Sequence, residues 1–247
     1  MLVTVKVTAD FSFYEDDNCD FIDSLGITVV GILLTNHQNY TVGHGYAYRL
    51  RMEEARSSGI NPFHVLDELT MAKADTAEAL LNRRTGLLLP KVLQLLPNLN
   101  PGDLVVLDRI VINPPFRCHG IGLGTINILT RKLLPGSGLF TIKPYPLQYE
   151  GKGPFTDDEN AALEKARHKL RAHYSRVGFL AVPRSHHMVL AAQTRKPFLY
   201  ELGLDRILLP VTSDMNEFLR KQETESAAQQ PPIAPCRQRI DSDPPGR

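Results

Sequence analysis

The chain has 247 residues, 43% of them hydrophobic, with 28 basic and 27 acidic side chains and a formal charge of +1. This length and apolar content suffice for one large core, and the near-balanced charge excludes a global pull toward nucleic acid or a membrane surface. No stretch approaches the roughly 20 apolar residues of a membrane span. The start of the chain does not read as a signal peptide, and Cys19, Cys118 and Cys236 are too scattered for a disulfide framework or a C-x-x-C metal site. These features give the expectation of a protein of the reducing cytoplasm that engages no membrane and holds no metal.

Residues 2–8, 27–35 and 40–52 read as strands rich in β-branched and aromatic side chains. The link Asn36-His37-Gln38-Asn39 has hairpin length, so the second and third strands are expected to pair antiparallel. Between the first two, Phe11 to Leu25 is acidic and only weakly helical. Asn61, an N-cap candidate before Pro62, predicts a helix running to about Arg84, and a second, shorter helix covers about 88–96. Turn chemistry at Asn100-Pro101-Gly102-Asp103 leads into Leu104–Ile112, apolar on both faces and therefore expected at the centre of a sheet.

Leu123–Leu134 reads as a helix, 139–143 as a strand and 157–177 as a long helix whose apolar positions include Leu163, Ala166, Leu170 and Tyr174. Short strands near 179–183 and 187–192 and a helix at about 213–221 follow. His186 and His187 are read as loop or solvent histidines. Residues 222–247, polar and rich in proline, are expected to form a disordered tail after a single domain spanning 1–221.

The central strand runs directly into Arg117-Cys118-His119-Gly120-Ile121-Gly122, which opens a helix. A glycine-rich loop at a helix N-terminus presents unpaired backbone N–H groups to an anion such as a pyrophosphate. The same glycines also serve an ordinary tight turn. Gly120, Gly122 and Gly124 do not follow the G-x-G-x-x-G dinucleotide spacing, and no Gly-Lys-Ser/Thr ending makes a Walker loop.

The run from Leu107 through Asn113-Pro114-Pro115 to Gly122 resembles the strand-and-loop signature of the GNAT superfamily of acyl-CoA-dependent N-acyltransferases, whose loop reads Q/R-x-x-G-x-G/A. Tyr174-Ser175-Arg176-Val177-Gly178-Phe179 resembles that family's Y-x-x-x-G-F helix end. The resemblance covers about 104–192. It implies an α/β (α+β) fold with a mixed, mostly antiparallel central sheet flanked by helices, here with a helical insertion over 53–100.

It also implies transfer of an acetyl or other short acyl group from coenzyme A to a primary amine. The backbone of Ile110, Val111 and Ile112 would hold the pantetheine arm. Arg117 and the amides of Cys118, His119, Gly120, Ile121, Gly122, Leu123, Gly124 and Thr125 would hold the pyrophosphate. Tyr174 would protonate the leaving thiolate. Asp108, an acid in an apolar strand, is a base candidate on the expectation that burial raises its pKa, with a structural ion pair as the alternative. Cys118 and His119 sit side by side on a tight loop and cannot both converge on one centre.

Two departures from the family pattern stand out. Where the family often has an asparagine seven residues before the helix tyrosine, this chain has Arg167, an arginine able to reach a phosphate. The 53–100 insertion reads as a substrate-side element, a packing elaboration or a homodimer contact. The alternative function is a non-catalytic acyl-CoA-binding or protein-interaction module. Acylation of an RNA-borne amine lacks the basic excess it would need.

Overall fold

The computed structural model describes residues 1–10, 19–68, 70–100, 102–133, 135–153, 155–204 and 211–229. Among them seven strands form one open sheet: Leu2–Asp10 (β1), Ile22–Ile32 (β2), Asn39–Leu50 (β3), Asp103–Ile112 (β4), Ser137–Ile142 (β5), Leu180–Ala181 (β6) and Met188–Ala191 (β7). Their order is β1-β2-β3-β4-β5-β7-β6. Every neighbouring pair is antiparallel except β4 and β5, which run parallel at the centre. The expected mixed, mostly antiparallel sheet and the β2–β3 hairpin are therefore observed.

Alternation along β4 sends Leu104 and Val106 to one face and Val105 and Leu107 to the other, and all four are buried. The first face is covered by Met52–Ser57 (α1), Pro62–Asp67 (α2), Met71–Leu80 (α3) and Pro90–Leu95 (α4), which bring Met52, Phe63, Leu66, Leu80 and Val92 onto it. Ile121–Lys132 (α5) covers the second face with Leu123, Ile126 and Leu129. The helical segment from α1 to α4 is thus a whole layer of the core. With each fully buried leucine worth about 2 kcal/mol, that layer is not separable from the domain.

The single helix expected from Asn61 to Arg84 is divided. Asn61 caps α2, accepting from Phe63 N at 3.0 Å, and Thr70 caps α3 anew, accepting from Lys73 N at 3.3 Å with its backbone extended. Threonine favours this capping role over a helix interior. The third strand stops at Leu50, and Met52 already belongs to α1. Phe11 to Asn18, within the weakly helical segment, lie outside the described residues, and Cys19–Phe21 is a 3-10 turn.

Asp157–Ser175 (α6) begins at a capping box in which Thr156 and Glu159 satisfy each other's backbone N–H groups. The described residues fall into two compact units, Met1–Pro210 and Val211 onward. The second unit contains the helix Ser213–Gln229 (α7). It runs through 222–229, where a disordered tail was expected, because the glutamate, glutamine and alanine residues there are strong helix formers. The rest of the expected tail, 230–247, lies outside the described residues. No helix among the described residues is long and apolar enough to cross a membrane.

Candidate functional site

β4 and β5 pair only from Asp103 to Leu107, whose partner is Ile142. Tyr46 faces Arg109 and Ala47 faces Leu107, so Asp108 is an extra residue in β4, a bulge that bends the strand. On the other side, Ile142 is followed by Lys143 and Pro144, and a proline cannot donate to a ladder. Past the bulge β4 leans onto β3. A Cβ on Gly45 would stand 2.4 Å from the Arg109 carbonyl oxygen, and one on Gly43 2.6 Å from that of Val111, an approach that glycine alone tolerates. The edge of β4 from Asp108 to Ile112 that faces away from β3 has no strand partner among the described residues. It lines a cleft of about 940 Å3.

Across this cleft α6 presents Ala162, Lys165, Ala166, Lys169, Leu170 and Tyr174, which together cover about half of the helix circumference. The loop after β5 spans the opening with Tyr145 to Glu150, and the Glu150 carboxylate pairs with the Arg109 guanidinium on β4. Ile110, Val111, Ile112 and Arg117 line the cleft as expected. Arg117 donates from Nε to the Ile112 carbonyl at 2.8 Å.

The glycine loop adjoins the far end of the cleft. Ile112 and Arg117 also belong to a second cavity of about 580 Å3, which is lined by Cys118, His119, Gly120, Ile121 and Gly122 and faced by His173 and Arg176. Gly120 is left-handed, with φ of 74°, and opens α5 without a side-chain cap. Among the described residues, no protein acceptor takes the backbone N–H groups from His119 to Leu123. At Gly124 the helix ladder begins, with Gly124 N donating to Gly120 O at 2.9 Å. The expectation that the amides of Gly124 and Thr125 face a ligand is therefore corrected, because only the first turn of a helix leaves amides unpaired. Cys118 is exposed and free, and His119 Nδ1 lies 2.6 Å from the Arg117 carbonyl oxygen.

Tyr174 reaches the cleft from α6, its ring packed on the core beneath α5. Burial pushes its pKa up to about 12, and its hydroxyl has no hydrogen-bond partner among the described residues. Asp108 lines the same cleft but is exposed, so the burial expected of it is not observed. The bulge interrupts the alternation that would have buried it. Arg167 does not line the cleft. It pairs with Glu164 at 2.5 Å and lies 5.4 Å from the centre of the ring of Tyr145, a residue of the loop that spans the cleft.

Two lysines of α6 and the carboxylate of Asp75 escaped sequence reasoning. Lys165 and Lys169 line the cleft from the part of α6 turned away from Tyr174. Lys143 lines the cleft, and its Nζ lies 2.5 Å from Asp75 Oδ2 on α3. Burial works to raise the Asp75 pKa, but the bond to Lys143, its charge and the nearby His187 and His186 hold it below the usual carboxylate range. His187, read as a loop or solvent histidine, does lie in the loop before β7 but is only 1% exposed. Its ring nitrogens meet Thr76 Oγ1 and Ser185 Oγ, each at 3.2 Å, and burial pushes its pKa down to about 4 against the pull of Asp75.

Comparison with protein-family models, curated proteins and solved structures finds no match for this chain.

Proposed function

We propose that this chain is an acyl-CoA-dependent N-acyltransferase of GNAT type, using acetyl-CoA or another short acyl-CoA to acylate a primary amine. The observation that carries this reading is the unpaired β4 edge from Asp108 to Ile112, continuous through Ile112 and Arg117 with the unpaired amides at the start of α5. The pantetheine arm of coenzyme A is an extended chain bearing amides, which an open strand edge receives as it would another strand. Five strand residues span about 16 Å, an edge long enough to hold such an arm extended. At its end, the pyrophosphate meets the first-turn amides and Arg117.

This placement directs the thioester toward Tyr174 and Asp108. A neutral amine nitrogen attacks the carbonyl carbon, a C–N bond forms and the C–S bond breaks. The thiolate takes the Tyr174 proton, and the proton lost by the amine returns to Tyr174 through water, leaving an amide and free thiol. Tyr174 suits the acid role because burial keeps its proton on at neutral pH. Thermal unfolding with acetyl-CoA and longer acyl-CoAs tests donor binding, and release of free thiol with a panel of amines tests transfer. The reading fails if no acyl-CoA raises the melting temperature.

The exposure of Asp108 favours a second reading, a module that binds acyl-CoA without turnover. Donor binding with no thiol release for any amine would select it.

A further inference from the structure

At the end of β5 opposite the cleft, beside Ser137 and Ala192, lies a separate cavity of about 520 Å3. Its charged lining is Arg131, Arg195 and Lys196, with no carboxylate among the described lining residues. Lys196 is only 6% exposed, and its ammonium is held by the main-chain carbonyls of Ala191, at 3.2 Å, and Ala192, not by an acid. Arg131 donates to the carbonyls of Pro197 at 2.7 Å and Lys196 at 3.0 Å. Both guanidinium groups sit by the Phe198 ring, Arg131 at 4.9 Å and Arg195 at 5.7 Å, while the Lys196 ammonium lies 5.7 Å from the buried Phe140 ring, and all three residues line the one opening.

The acid found beside them is Glu201, 2.7 Å from Arg195. Lys196 has no such compensation: burial lowers its pKa to about 8, and Arg131 pushes the same way. A structure that gathers cations in a cavity without matching acids is stabilised by an anion that enters it.

We propose that this cavity binds a phosphomonoester, a small phosphorylated ligand whose oxygens engage Arg131, Arg195 and Lys196. A phosphomonoester carries a charge of about −1.5 to −2 at neutral pH. That is close to what remains of three cations after Glu201 has neutralised one. Guanidinium and ammonium donors form strong charge-assisted bonds to phosphate oxygens. The volume exceeds that of a bare ion and leaves room for an organic part beside Gln193 and Thr194. The site is independent of the acyl-CoA reading, and shares no lining residue with the two cavities of the cleft.

Titration calorimetry with inorganic phosphate and with glycerol 3-phosphate, against chloride at matched ionic strength, tests the site. The full chain carrying Gly122→Glu is used, so that phosphate at the α5 loop does not contribute. Binding is expected to persist in that background, with glycerol 3-phosphate at least as tight as phosphate, and to weaken about tenfold or more in Lys196→Met. Arg195 is 72% exposed on its side chain, so Arg195→Gln leaves folding intact and is expected to weaken binding several-fold even if Lys196→Met does not fold. No heat beyond the chloride control, or affinity unchanged in Arg195→Gln, overturns the proposal.

Discussion

Leu204 packs over Gly120 so closely that a Cβ on the glycine would stand 2.3 Å from Leu204 Cδ2, whereas one on Gly122 meets nothing nearer than Ile112 Cγ1 at 3.7 Å. The two loop glycines therefore answer different questions. Gly120→Ala forces a left-handed residue with a side chain and is expected to cost about 1–2 kcal/mol in urea unfolding. Gly122→Glu adds a better helix former and an acid at a helix N-terminus, changes worth about 1 kcal/mol in its favour. Its melting temperature should equal or exceed that of the parent while the acyl-CoA-induced shift disappears. A retained shift would remove the loop from the donor site.

Tyr174→Phe keeps the ring in the core and deletes the hydroxyl. Donor affinity by calorimetry is expected to stay within a factor of about two, while kcat for thiol release falls about 100-fold. With its pKa pushed up to about 12, Tyr174 keeps its proton to roughly pH 11, so any alkaline loss of activity below that belongs to another group. An unchanged kcat would dismiss Tyr174 as the acid.

His187 gives the domain an acid weakness. Its folded pKa of about 4 lies below the unfolded value of about 6.5, so the unfolded chain takes up the proton first. Stability is then full above about pH 6.5 and falls as pH drops toward 4, by up to about 3 kcal/mol. Glutamine retains two polar ends for Thr76 and Ser185 without titrating. Melting temperature plotted against pH should flatten between 6.5 and 4 in His187→Gln, and parallel curves for the two proteins would show that the weakness lies elsewhere.

The lean of β4 onto β3 is tested by Gly45→Ala, whose new methyl meets the main-chain oxygen of Arg109, an atom that moves only with the strand. The expected cost is about 1–3 kcal/mol in urea unfolding, with weakened donor binding as β4 is pushed back toward β5. A variant that folds and binds acyl-CoA like the parent would mean that the cleft does not depend on this contact.

What the sequence made legible was local. Leu104–Ile112 reads as a central strand because it is apolar on both faces, and the loop beside it announces itself through glycines next to a helix start. What stayed hidden depends on partners distant in the chain. The extra residue at Asp108 is defined only by pairing with β3, so the acid was assigned a burial that the interrupted alternation denies it. Arg167 stands about two helical turns before Tyr174 on nearly the same side of α6, but its guanidinium is taken by Glu164, a partner that spacing offers without fixing. His187 meets Ser185 within its own loop and Asp75 and Thr76 on α3, more than 100 residues away in the chain, and nothing in the sequence joins those two segments.

The cleft rests on arithmetic more than on side-chain identity. Between Ala47 and Tyr46 the third strand has no residue to spare, while the fourth carries one between Leu107 and Arg109. Exchanging Asp108 for another residue leaves that surplus in place, and the cleft with it. Excising Asp108 brings the two strands back into step and removes the bend that holds the sheet ajar. A substitution and a deletion at one position thus act on different properties of the protein, the first on the chemistry at the rim and the second on whether there is a rim at all.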